Sequence, residues 1–79
     1  MKVTAKLFAT LSHYAQGTRA GTPLEIELPE AATLQDLIDQ LKIPPPEARV
    51  TFVNGIIQEL DHQLKNGDEV GIFPPIGGG

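Results

Sequence analysis

Three consecutive glycines, Gly77-Gly78-Gly79, close the sequence, and their type and order carry a specific chemistry. A segment without Cβ atoms passes through a slot too narrow for other residues, so it can deliver the carboxylate of Gly79 into another protein's active site. With an ordinary pKa of about 3.3–3.7 that carboxylate is ionised at neutral pH and is a poor acyl donor. Its use therefore requires activation, most simply as a mixed anhydride with AMP. ATP would then be used by an activating partner, with no cofactor bound on this chain. The competing reading is that three terminal glycines are a frayed tail or a leftover of expression. No purification tag accompanies them, and the stretch before them reads as an ordered approach.

That approach begins at Asn66-Gly67-Asp68, a turn signal, since Asn and Gly tolerate positive φ at little cost. Glu69-Val70-Gly71-Ile72-Phe73 then alternates polar or small with apolar residues, as a half-buried strand does. Pro74-Pro75 stops the strand, because proline brings no N–H to a ladder and fixes φ; Ile76 follows.

The rest of the chain supplies the mounting. Lys2–Phe8 alternates, with Val3, Ala5 and Leu7 on one face, and predicts a first strand. Ala9–Gln16 predicts a short helix carrying Leu11, Tyr14 and Ala15 and ended by Gly17. Pro23–Pro29 predicts a second strand bracketed by prolines, returning on the first. Thr33 is an N-cap with Asp36 three residues on, and Leu34–Lys42 places Leu34, Leu37, Ile38 and Leu41 on one face of the main helix. Pro44-Pro45-Pro46 is expected to end that helix and to serve as a stiff loop. Arg49–Val53 and Ile56-Ile57 predict two strands joined at Asn54-Gly55, the dipeptide suited to a type I′ hairpin.

Size and composition exclude much else. A chain of 79 residues is one small domain, burying only about 60–65% of the surface its unfolded form exposes, with no room for a deep private active site. Six Lys and Arg against ten Asp and Glu give a formal charge of −4 without a basic cluster, so nucleic acid is a poor partner and a basic protein surface a better one. No apolar run approaches the ~18 residues of a membrane span, and a cytoplasmic location is the expectation. Zero cysteines exclude disulfides, a cysteine nucleophile and a thiolate metal site. Sulfur carried by this chain would have to ride on its terminus. His13 and His62 lack a second ligand at metal spacing, and Gly67-Asp68-Glu69 lacks the repeated carboxylates of a calcium loop, so no metal site is expected.

Leu64-x-x-Gly67-Asp68-Glu69-Val70, followed by Phe73-Pro74-Pro75-Ile76-x-Gly78-Gly79, resembles the small subunit of molybdopterin synthase, within the ubiquitin-like sulfur-carrier group that includes the thiamin sulfur carrier. Phe8-Ala9-x-Leu11 and Val53-Asn54 fit the same pattern, so the likeness runs nearly the whole chain. Ser12 stands where family members often carry a basic residue, and Gly77 where Ser, Thr or Ala is more usual. The resemblance implies an α+β, ubiquitin-like β-grasp fold: a mixed sheet of about five strands packed on one main helix, with the first and last strands parallel at its centre. Residues 1–75 would form the β-grasp domain and 76–79 a flexible glycine tail.

The function implied is that of a non-catalytic carrier, monomeric when free. Gly79 would be adenylated by an enzyme resembling those that activate ubiquitin and converted to a thiocarboxylate. It would then donate sulfur within a complex with the synthase large subunit, or with another sulfur-accepting synthase such as that of thiamin. Phe73, Pro74, Pro75, Ile76, Gly77 and Gly78, together with Leu60, are the expected partner-binding residues. The sequence leaves two other readings open: a ubiquitin-like modifier conjugated to lysines through Gly79, and a plain interaction domain with an inert tail.

Overall fold

The computed structural model describes residues 1–14 and 19–75. Its elements run β1 (Lys2–Leu7), a 3₁₀ turn (Ala9–Tyr14), β2 (Leu24–Glu27), α1 (Leu34–Gln40), a second 3₁₀ turn (Pro45–Glu47), β3 (Val50–Val53), β4 (Ile56–Ile57) and β5 (Glu69–Phe73). The five strands form one sheet in the order β2-β1-β5-β3-β4. β1 and β5 are parallel, with Ala5 opposite Val70 and Leu7 opposite Ile72, and every other pairing is antiparallel. This is the β-grasp: the first and last strands meet at the centre, and one helix covers one face.

Alternation decides which face is covered. Val3, Ala5 and Leu7 of β1 and Val70 and Ile72 of β5 point inward and are buried, meeting Leu34, Leu37 and Ile38 of α1, each fully buried. The core is entirely aliphatic, with Leu11, Leu28, Ile43, Val53 and Leu64 completing it. It contains no phenylalanine, although the chain has three.

Thr33 caps α1 as the sequence predicts. Its Oγ1 accepts from the Asp36 amide at 3.3 Å, and its own amide donates to Asp36 Oδ2 at 2.9 Å, a reciprocal capping box. The other end differs from expectation. The helix stops at Gln40, ahead of the prolines, because Lys42 takes a left-handed conformation (φ 61°). The Lys42 amide donates to Asp39 O and the Ile43 amide to Ile38 O, a Schellman closure that tucks Ile43 into the core. The proline triplet, expected as a stiff loop, leads into a 3₁₀ turn at Pro45–Glu47, which proline suits at its first positions because its fixed φ is already helical there. Likewise the predicted helix over Ala9–Gln16 is a 3₁₀ turn over Ala9–Tyr14, with Leu11 buried; Ala15 and Gly17 lie outside the described residues.

Candidate functional site

The approach to the C-terminal segment is built by β5, a central strand held from both sides to its last residue. At its start, Asn54 and Gly55 have φ of 53° and 83°, the double positive φ of a type I′ turn, and this turn brings Asn54 against the β5 entry. The Asn54 amide donates to Glu69 O at 2.7 Å, and its side chain accepts from the Glu69 amide at 2.9 Å. Asn54 Nδ2 also donates to Asp68 Oδ1 at 3.0 Å, while Asp68 Oδ2 accepts from the Lys65 amide at 2.8 Å. Asp68 is nearly buried, with a relative exposure of 9%, and these bonds offset the cost of burying its carboxylate. At the far end of β5, Ile72 O accepts from the Phe8 amide at 3.1 Å and Phe73 O from the Arg49 amide at 3.0 Å. The chain therefore leaves the sheet at Pro74 from a fixed point.

All three phenylalanines lie on the face that α1 does not cover. Phe8 continues the outward parity of β1, Phe52 sits opposite Gly71, and Phe73 sits opposite Val50. Phe8 and Phe73 stack with centroids 4.3 Å apart and planes 2° from parallel, and Phe52 meets Phe73 edge-on at 5.5 Å. Each ring is half-buried. Two glycines border the Phe8 ring: a Cβ at Gly71 would lie 3.4 Å from one edge and one at Gly21 would lie 3.4 Å from the other, both ordinary contact distances. Beside the rings a depression of about 350 Å³ is lined by Lys6, Phe8, Phe52, Glu69, Gly71 and Phe73.

Phe73 thus belongs to an exposed aromatic cluster at the chain exit, and Pro74 and Pro75 follow it directly. Leu60 is elsewhere. It packs half-buried against the core and lines a second groove with Pro45, Ala48, Val50 and Ile57. The structure does not bring Leu60 and Phe73 into one pocket. Ile76, Gly77, Gly78 and Gly79 lie outside the described residues. Phe8, Phe52 and Gly71 were not singled out by sequence reasoning as partner-facing, although strand parity supplies the signal for Phe8. Among the described residues no group of acidic and histidine side chains could hold a metal ion, and no helix is long and apolar enough to cross a membrane.

A strand-anchored exit, an aromatic face beside it and a β-grasp around both agree with the comparisons to known proteins. The ThiS family model matches residues 5–79. The chain belongs to the ThiS family. Among solved structures similar to this ThiS-family chain, molybdopterin converting factor subunit 1 from Pyrococcus furiosus is 34% identical, with a TM-score of 0.74 over 96% of this chain and 99% of that one. SAMP1 from Haloferax volcanii, small archaeal modifier protein 1, is 28% identical, with a TM-score of 0.73 over the full length of both chains. A chain of the complex of subunits 1 and 2 of molybdopterin-converting factor from Helicobacter pylori shares the fold at 20% identity, with a TM-score of 0.63 over the full length of both. No curated protein matches the chain in sequence. The ThiS-family chain is thus of the ubiquitin-like carrier or modifier kind, and small carriers of this kind are generally not catalysts themselves.

Proposed function

We propose that this chain is a sulfur carrier. The observation that carries the reading is β5 itself, a central strand held by hydrogen bonds as far as Phe73 O, so that the chain leaves the sheet at Pro74 beside an aromatic face. A cytoplasmic adenylating enzyme related to those that activate ubiquitin joins AMP to the Gly79 carboxylate and releases pyrophosphate from ATP. A donor of sulfide-level sulfur then displaces AMP to leave a thiocarboxylate, whose sulfur attacks a cofactor precursor bound by a separate synthase subunit; water cleaves the resulting thioester, leaving the sulfur on the precursor and regenerating the Gly79 carboxylate. The domain, 1–75, is the handle; residues 76–79 are the working part. Phe73, Pro74, Pro75, Ile76, Gly77 and Gly78 line the path into each partner, and Leu60 contributes from the neighbouring groove.

Molybdopterin synthesis is the pathway we favour. It is supported by the Phe73-Pro74-Pro75-Ile76 exit and by the 34% identity to a molybdopterin converting factor subunit 1. Sulfur delivery to thiamin is the alternative within the family. A second class of use is supported by the 28% identity to SAMP1: conjugation of Gly79 to lysines of other proteins after the same activation step. Ordering a glycine tail costs about 1–2 kcal/mol per residue, so the tail alone binds weakly and the domain surface must dock as well. That balance suits exchange between two partners.

Intact mass of the protein isolated from its own cells separates the readings. Exchange of one oxygen for sulfur at Gly79 supports the carrier, and high-mass conjugates support the modifier. An unmodified acid with no conjugates contradicts both.

A further inference from the structure

An adenylated glycine is a reactive acyl donor, and the groups on its own chain able to capture it as a stable amide are amines. There are five: the Met1 amine and the side chains of Lys2, Lys6, Lys42 and Lys65. The fold sorts them by distance from the exit. The Lys2 amide donates to Asn66 Oδ1 and its carbonyl accepts from the Gly67 amide, both at 2.8 Å, so Lys2 and Lys65 stand at the end where β5 begins. The Met1 ammonium is at that end too, donating to Leu28 O at 2.8 Å, just past β2. Gln40 Nε2 donates to Glu27 O at 3.1 Å, and Glu27 lies opposite Lys2, which puts the end of α1 and Lys42 there as well. Lys6 alone is on the exit half. It sits opposite Gly71, two residues short of Phe73, on the uncovered face in the depression that Phe8 and Phe73 also line.

We infer that Lys6 is a modification site: when no sulfur donor displaces AMP, the activated Gly79 carbonyl closes on Lys6 Nζ of the same chain as an isopeptide bond. This rests on the carrier reading. Reach selects the residue. Residues 76–79 span at most ~14 Å, and the four residues from Gly71 to Pro75 also span at most ~14 Å, so the tail can turn back to the level of Gly71 and meet the Lys6 stem. Lys2 is out of range, because about 20 Å of strand separates its level from Phe73 even before the prolines are counted. In the reaction the Lys6 ammonium releases a proton to solvent, and the freed Nζ lone pair bonds to the Gly79 carbonyl carbon. The bond from that carbon to the phosphate oxygen breaks, AMP leaves, and Nζ gives a second proton to solvent. Nothing is oxidised or reduced. Glu69 opposes this closure. Its Oε1 lies 4.0 Å from Lys6 Nζ and draws the ammonium toward the start of β5, away from Phe73 and the exit. The Lys6 and Glu69 side chains are 38% and 67% exposed, so the contact biases where the amine rests without locking it. The closed chain has no free carboxylate and cannot be charged again. Prompt delivery of sulfur and the Glu69 contact both keep the carrier out of that state.

The parent, Lys6→Arg and Glu69→Gln test this with the purified adenylating enzyme of the same organism and ATP, the sulfur donor being left out. Three readouts are needed: ATP–pyrophosphate exchange, intact mass with peptide mapping, and thermal melting. The expected result for the parent is a monomeric product lighter by one water, in which the map joins Lys6 to Gly79. Lys6→Arg should support exchange at the parent rate, melt like the parent and form none of this product. Glu69→Gln should form it faster by roughly two- to fivefold, the range open to an exposed ion pair. Parent exchange without the product overturns the proposal and leaves the carrier reading in place. A link from Gly79 to Met1, Lys2, Lys42 or Lys65 instead also overturns it, as does a product of twice the mass, which would mean capture by a second copy of the chain. An unchanged rate in Glu69→Gln overturns the opposing role of Glu69. Failure of the parent to support exchange at all overturns the carrier reading and this inference with it.

Discussion

The rings of Phe8 and Phe73 lie face to face, 4.3 Å between centroids, bridging the parallel strands β1 and β5 on the side away from the helix. A stacked pair of this kind contributes about 0.5–1.5 kcal/mol beyond its area burial. Phe8→Ala should therefore cost a modest amount of stability, less than loss of a core leucine, because the ring is half-exposed. Urea denaturation gives that cost. Activation of the variant by its adenylating enzyme should fall through a raised KM, with kcat nearly unchanged, since the terminus is untouched.

Asn54 and Asp68 form the other relationship that fixes β5. Asp68→Ala would leave Asn54 Nδ2 and the Lys65 amide without the acceptor that each reaches at a part-buried site. The expected loss is about 1–3 kcal/mol, and Asn54→Ala in the same background should then add less than it does alone. A double-mutant cycle by chemical denaturation measures this coupling. Additive losses would show that the two side chains act separately.

Much of this was legible beforehand, and the reasons differ by residue. The strands and the Thr33 capping box follow from alternation and local chemistry, which a sequence displays directly, whereas the parallel β1–β5 centre was legible only through the family resemblance. Val53-Asn54 and Gly67-Asp68-Glu69 were two separate fragments of a motif. The fold makes them one network, which gives the Val53-Asn54 pair a meaning it lacks by itself. The helix end was misread because a proline triplet is a loud stop signal, whereas Lys42 in a left-handed Schellman position carries none of the glycine that usually marks it. Of the aromatic face only Phe73 was legible as partner-facing; Phe8 and Phe52 were not, because phenylalanine is ordinarily a core residue. Here Thr51 points inward with its hydroxyl donating to Gln58 O at 2.7 Å, and Phe52 points outward.

Lys42 gives a prediction of its own. A residue with a Cβ at φ 61° is disfavoured by roughly 1 kcal/mol relative to glycine, while glycine loosens the unfolded chain in partial compensation. Lys42→Gly should raise stability by about 0.5 kcal/mol, and Lys42→Val should lower it, since branching at Cβ makes the left-handed conformation worse. Thermal melts of the two variants should bracket the parent.

Alkaline titration gives a third kind of test. The Tyr14 hydroxyl donates to Glu47 Oε2 at 2.8 Å, tying the first 3₁₀ turn to the second. That hydrogen bond, then burial, then the carboxylate's charge hold its pKa above the ordinary 10.0. The folded state therefore keeps the proton more tightly than the unfolded chain does. The stability this contributes is full below pH 10 and is lost as pH rises through the folded value. Stability of Tyr14→Phe should fall less across that alkaline window, as read by denaturation at a series of pH values.

The central claim is that chemistry occurs at the Gly79 carboxylate, and tail length tests it most directly. Removing Gly79 withdraws the carboxylate by roughly 3 Å, and appending one alanine locks that position inside a peptide bond. Reacting atoms must approach within about 3–3.5 Å, and an ångström of misplacement costs around a hundredfold in rate. The measurement is formation of adenylate and thiocarboxylate by the purified activating enzyme with ATP, followed by intact mass, beside a melting curve for each variant. The account predicts parent-like melting in both variants with activation nearly abolished in both. Adenylate and thiocarboxylate formed at the parent rate by either variant would contradict it.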